Sequence, residues 1–108
     1  MNPGHAYIVG SATGTLYIGV TSELHLRICQ HKLGVFPGFS RTYGCHRLLL
    51  AEPFNTITEA IAREKQLKGW TRAKKMGLVR KTNPEFKDLA ETWTYPHLGP
   101  AQKIADQK

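Results

Sequence analysis

The sequence predicts a single α/β domain, a small three-stranded and largely antiparallel sheet with helices packed around it, and three observations carry that expectation. Two short runs rich in Tyr, Ile and Val flank a small polar linker, which is the pattern of a β-hairpin. Later segments carry helical apolar spacing behind residues suited to capping a helix. The chain has 108 residues, 41% of them hydrophobic, which is enough for one core and too short for a second domain.

The elements follow in order. Residues 6–10 and 15–20 form the hairpin strands around Ser11-Ala12-Thr13-Gly14, and placing Ala12 at the centre of the turn sets Tyr7 opposite Tyr17. Ser22 is the expected cap of a helix over 23–33, which Gly34 and then Pro37-Gly38 stop. Residues 46–52 are a short apolar run that suits a buried strand after the Tyr43-Gly44 turn. Thr56 with Glu59 makes a capping box that opens a helix over 57–70. Thr71 starts another, which ends before Asn83-Pro84 because the residue preceding a proline is pushed out of helical geometry. The domain is placed at residues 3–94, and residues 95–108, which show no apolar period, are expected to form a flexible tail.

Charge narrows the function classes. Fifteen Lys and Arg against eight Asp and Glu give +7 and a pI near 9.7, so a polyanion is the natural partner. Nucleic acid comes first and an acidic membrane surface second. No stretch approaches the roughly 20 apolar residues of a bilayer span, and the N-terminus has no signal-peptide layout, so the expected location is the cytoplasm. Cys29 and Cys45 lack a CxxC spacing and are expected to be reduced thiols.

Three features carry candidate chemistry. Tyr7 and Tyr17 project from one face of the hairpin, an arrangement that packing alone also produces. Arg27 and His31 lie one helical turn apart, at the border of the stripe of Leu24 and Ile28, where they either line a cleft or stay solvated. Glu64 falls at the centre of the stripe of Ala60, Ile61 and Leu67, so its carboxylate is expected to be buried. An unpaired buried carboxylate is very costly, and its partner is Arg27, a metal ion or a lysine such as Lys68. A structural zinc site from His25, Cys29, Cys45 and His46 is a weaker alternative, because two adjacent residues in one turn rarely share a tetrahedral ion.

Taken together, the hairpin with Tyr7, the string Tyr17-Ile18-Gly19, then Arg27 and His31, then Glu64 resemble the GIY-YIG nuclease superfamily in order and spacing. The resemblance covers roughly residues 5–94 and is closest to its small single-domain members and to the N-terminal domain of excision-repair endonucleases. The run Ala60-Ile61-Ala62-Arg63-Glu64-Lys65-Gln66-Leu67-Lys68 and the closing Asn83-Pro84 with Asp88-Leu89 belong to it. Two positions depart: the first motif reads His5-Ala6-Tyr7, without its Gly-Ile, and Val20 stands where excision-repair members have a lysine.

The resemblance implies the GIY-YIG fold and metal-dependent hydrolysis of a phosphodiester, as a structure-directed endonuclease acting on DNA ahead of RNA, with DNA repair as its setting. Glu64 would hold a divalent ion, Mg2+ or Mn2+, and Arg27 would clamp the phosphate. Tyr17 or Tyr7 would position or deprotonate the water while His31 relays the proton, and Gly19 is a structural part of the motif. Asn83 either contacts the phosphate or metal shell or simply forms the turn before Pro84. The basic residues between Arg63 and Lys81, with Arg63, Lys65 and Lys68 foremost, give an electrostatic footprint for phosphates, while Trp70 among them suits the core. The alternative is a binding module that keeps the fold with little activity, brought to its site by a protein partner. The sequence leaves the oligomeric state open.

Overall fold

In the computed structural model, which describes residues 2–35, 38 and 42–94, the chain runs β1 (Gly4–Gly10), β2 (Leu16–Thr21), α1 (Leu24–Leu33), β3 (Arg47–Phe54), α2 (Ile57–Lys68) and α3 (Arg72–Thr82). The three strands form one antiparallel sheet in the order β2-β1-β3, so the first strand made is the central one. The expected α/β class and three-stranded sheet are present. The expected tail at 95–108 and the stop at Pro37 lie outside the described residues.

The hairpin register differs from the expected one. Gly10 pairs with Leu16, leaving Ser11–Thr15 as a five-residue loop, and Tyr7 faces Gly19 while Val9 faces Tyr17. Ser11 sets this loop: its backbone N–H donates to Thr15 O (2.9 Å), and its Oγ accepts from Thr15 N (2.9 Å) and Thr13 N (3.2 Å). A shift of two residues preserves side-chain parity, so both tyrosines still share a face, diagonally rather than directly opposed.

Each face of the sheet has its own core. On one, Tyr7, Val9 and Leu48 pack against Ile28 of α1, with Cys45, Ala90 and the half-buried Tyr17 and Trp93 around them. On the other, Ile8, Ile18, Leu49 and Leu50 pack against Leu67 of α2 and Val79 of α3. Leu49 and Leu50 share a face although they are consecutive. The reason is a bulge: Ile8 pairs with Leu50 and Val9 with Leu48, so Leu49 is the extra residue. This explains why residues 46–52 show no alternation.

Helix ends explain most of the remaining layout. Ser22 does not cap α1; Glu23 occupies that position without a side-chain cap bond, and Thr21 Oγ1 accepts from Glu23 N (2.9 Å). Gly34, at φ 67°, closes α1 in the left-handed conformation open to glycine. Thr56 and Glu59 form the expected capping box of α2, worth about 1 kcal/mol. α2 ends at Lys68, two residues short of Trp70, and Thr71 caps α3 through its bond from Lys74 N.

Candidate active site

The tyrosine face of the hairpin meets α1 in a closed polar cluster. Tyr7 is 1% exposed, its ring lying across Gly19, where a Cβ would stand 2.3 Å from Cζ and 2.4 Å from Oη. Only a residue without a side chain admits the ring there. Tyr7 Oη lies 2.8 Å from His31 Nε2, and the rings of Tyr7 and Tyr17 both sit 5.6 Å from the His31 ring. Arg27, one turn before His31, hydrogen-bonds the Tyr7 phenol. A guanidinium only donates, so Oη accepts from it and the phenolic proton is left for Nε2.

Burial sets the protonation of this pair. It pushes the Tyr7 phenol up to about 12; Arg27 opposes that shift, while Tyr17 and Glu64 add to it. His31, 4% exposed, is pulled down to about 4, by burial first and then by the positive charges of Arg27 and His46. At neutral pH the tyrosine therefore keeps its proton and the imidazole is uncharged. Tyr17 is half-buried and so more open to solvent than Tyr7.

Glu64 approaches from α2. Its side chain is 14% exposed, so it is largely rather than wholly buried, and Lys68 is its cation at 2.9 Å. Arg27 instead serves Tyr7 and lines a groove of about 470 Å³ with Val20, Thr21, Leu26, Gln30, Ile57 and Ile61, among others. Ile61 is 37% exposed there, so the buried stripe of α2 is Ala60 and Leu67. The negative charge of Glu64 is still felt at Tyr7, which places all five residues within electrostatic reach.

Other expected site residues sit elsewhere. Asn83 is 4% exposed on the far side of the sheet, and its amide is consumed by the backbone: Nδ2 donates to Lys87 O (2.8 Å) and Leu49 O (3.3 Å), and Oδ1 accepts from Lys87 N (3.0 Å). Its surroundings match the turn-forming alternative. Arg63 forms a forked pair with Glu52 (2.7 and 3.1 Å), donates to Gln66 and lies over the Trp70 ring. Lys65 is exposed, and Lys68 is paired with Glu64 but 54% exposed, free to swing aside.

The zinc alternative finds no geometry. His25 stacks on Trp93 at 4.9 Å and donates to Thr94 O, His46 Nδ1 donates to His31 O (3.0 Å), and Cys45 Sγ donates to Thr15 O. Both cysteines are free and buried, as expected. No three metal-ligating side chains gather among the described residues.

One residue that the sequence placed in the closing motif without a role organises the other flank of the cluster. Asp88 pairs with Lys32 of α1 and accepts from Leu48 N (3.0 Å) and Ala90 N (2.9 Å), which ties α1 to β3 and the closing loop. Burial alone would raise its pKa, but these partners together hold it below the usual carboxylate range.

A model of the GIY-YIG catalytic domain matches residues 3–77. The chain belongs to the GIY-YIG catalytic domain family. Family membership makes this a nuclease-type domain whose substrate is nucleic acid, in a group that generally works with divalent metals. UPF0213 proteins of Staphylococcus aureus strains Mu3 and N315 are each 30% identical to this GIY-YIG domain over 80 residues, 74% of the chain and 98% of theirs. The solution structure of a UPF0213 protein from Bacillus halodurans is 27% identical, with a TM-score of 0.53, covering 85% of this chain and 99% of that one. These small relatives share the fold, and their name assigns no reaction. Among the described residues, no helix is long and apolar enough to cross a membrane.

Proposed function

We propose that this domain is a divalent-metal-dependent endonuclease that hydrolyses phosphodiesters in DNA, ahead of RNA, and selects substrate by structure rather than by sequence. The observation that carries the reading is the Tyr7–His31 hydrogen bond within a cluster that also holds Tyr17 and Arg27 and lies within the field of Glu64. A buried arrangement of one tyrosine protonated to about 12, one neutral imidazole and one guanidinium is unusual for a packing device alone.

Glu64 is the carboxylate of this set. One carboxylate, with no group of three metal-ligating side chains gathered among the described residues, suits Mg2+ or Mn2+, which keep several waters. Bound there, such an ion supplies Lewis-acid neutralisation of charge on the phosphate. Lys68, mostly exposed, can leave Glu64 and turn to the substrate backbone. Arg27 donates to the non-bridging oxygens, a task suited to a planar cation that never loses its charge.

The two tyrosines divide the remaining work. Tyr7 is sealed in the core and holds its proton too tightly to act as a base, so it positions His31. Tyr17, the more accessible ring, orients the attacking water. His31, uncharged at neutral pH and oriented by the Tyr7 hydroxyl, relays the proton.

The test is cleavage of branched, nicked and single-stranded DNA and matching RNA with Mg2+ or Mn2+, wild type beside Glu64→Ala. Cleavage by the wild type that the variant loses supports the reading. Intact substrates throughout, with binding that steepens at low salt, would assign a binding module instead.

A further inference from the structure

A second hollow, of about 510 Å³, opens where the hairpin loop meets α3, lined by Thr13, Gly14, Thr15, Leu16, Arg72 and Lys75. Its floor is loop backbone and its wall is basic. Among the described residues no carboxylate pairs with Arg72 or Lys75, whereas Lys32, Arg63, Lys68 and Lys87 each have one. Arg72 also reaches over the loop. Its guanidinium lies over Gly14, where a Cβ would stand 2.8 Å from Nη2, and the φ of 94° at Gly14 is one that side-chain-bearing residues avoid.

The hollow and the tyrosine site lie along the same edge strand. Leu16 lines the hollow and is followed directly by Tyr17, both on β2, which is an edge strand of the sheet. Arg27 lines the groove at the opposite end of that strand, beside Val20 and Thr21. β2 spans about 17 Å between Leu16 and Thr21 at the usual strand rise, a distance that a few nucleotides cover.

We infer that the hollow between the hairpin loop and α3 is a second phosphate subsite, in which Arg72 and Lys75 hold a backbone phosphate of the same strand whose scissile phosphate lies at Arg27. This rests on the nucleic-acid reading above. Arg72 and Lys75 take non-bridging oxygens, and the subsite fixes how the strand runs along β2 without reading its bases. A ligand too short to reach it gains nothing from it.

The test measures fluorescence anisotropy of labelled single-stranded DNA without divalent metal, a dinucleotide against a dodecanucleotide, over a range of salt. The proteins are the wild type, Arg72→Ala/Lys75→Ala, and Lys87→Ala as a charge-loss control at a lysine that lines neither the hollow nor the Arg27 groove. For the dodecanucleotide the double variant is expected to bind about tenfold more weakly per cation at low salt, with a log–log salt slope shallower by about 0.7 per contact. Dinucleotide affinity should match the wild type. Equal losses in the double variant and Lys87→Ala, or equal losses for both ligand lengths, would overturn the subsite while leaving the nuclease reading intact. A wild type that binds neither ligand overturns both. Arg72 is exposed and Lys75 half-exposed, so circular dichroism of the double variant should superpose on the wild type.

Discussion

Replacing Gly19 with alanine probes the contact on which the candidate site is built. The new Cβ would stand 2.3 Å from Tyr7 Cζ and 2.4 Å from Oη, against an ordinary carbon contact of about 3.5–4.0 Å. The ring must withdraw by more than about 1 Å, and Val9, Ile28 and Leu48 of the same core leave it little room. A displacement of that size carries Oη out of hydrogen-bond range of His31, now 2.8 Å away. Overpacking costs about 1–3 kcal/mol and the lost buried hydrogen bond about 1 kcal/mol more, so the expected destabilisation is about 2–4 kcal/mol. At about 4–6 °C per kcal/mol for a domain near this size, Tm should fall by roughly 10–20 °C. Urea unfolding followed by fluorescence of Trp70 and Trp93 gives the free energy. In a Tyr7→Leu background the same substitution should cost at least 1 kcal/mol less, because the clash has gone. Equal costs in both backgrounds, or a Gly19→Ala protein within about 0.5 kcal/mol of the wild type, would show that the ring does not need the glycine.

Three further outcomes are expected. His31 titrates near 4 when folded against 6.5 when unfolded, so the unfolded chain binds more protons between those values. Stability should therefore be undiminished above pH 6.5 and fall by up to about 3 kcal/mol as pH drops to about 4; urea midpoints against pH should show this slope, and His31→Gln should flatten it. Asn83→Ala strips three hydrogen bonds from buried backbone, at about 1 kcal/mol each, and a measured loss under 1 kcal/mol would contradict its structural role. Glu64→Gln breaks only a pair whose lysine is mostly exposed, costing under about 1 kcal/mol, while metal-dependent cleavage should drop by about a hundredfold or more. Calorimetric metal titration of the same variant distinguishes lost binding from lost chemistry.

The elements and their capping residues were largely legible, because Thr56, Glu59, Thr71 and Gly34 act through local hydrogen bonds and backbone geometry. The hairpin register was not. It depends on how Ser11 bonds within a five-residue loop, and a centre at Ala12 is as compatible with the sequence as the one observed. The tyrosines survived this error only because the slip was even. Glu64 was recognisable as an anomaly between Ala60 and Leu67, and its pairing with Lys68 one turn on was among the readings that helical spacing offered, yet that spacing could not reveal that Ile61 is partly exposed. Asn83 was ambiguous because its bonds to Lys87 shape the turn after the helix, while its third partner, Leu49, is brought to it by tertiary packing.

The position of β1 at the centre of the sheet imposes an order on assembly. Tyr7, Tyr17, Arg27 and His31 all come from the hairpin and the helix after it, so their contacts close over short stretches of chain. Glu64 can join them only after β3 has crossed back to the other edge of β1 and α2 has docked, with Ile57 N bonding Asn2 O at its start. Closing that longer loop is the entropically slower event. On the proposed reading, a chain still being made thus acquires the residues assigned to the phosphate before the carboxylate assigned to the metal, and a partly folded domain would lack the group needed to cut.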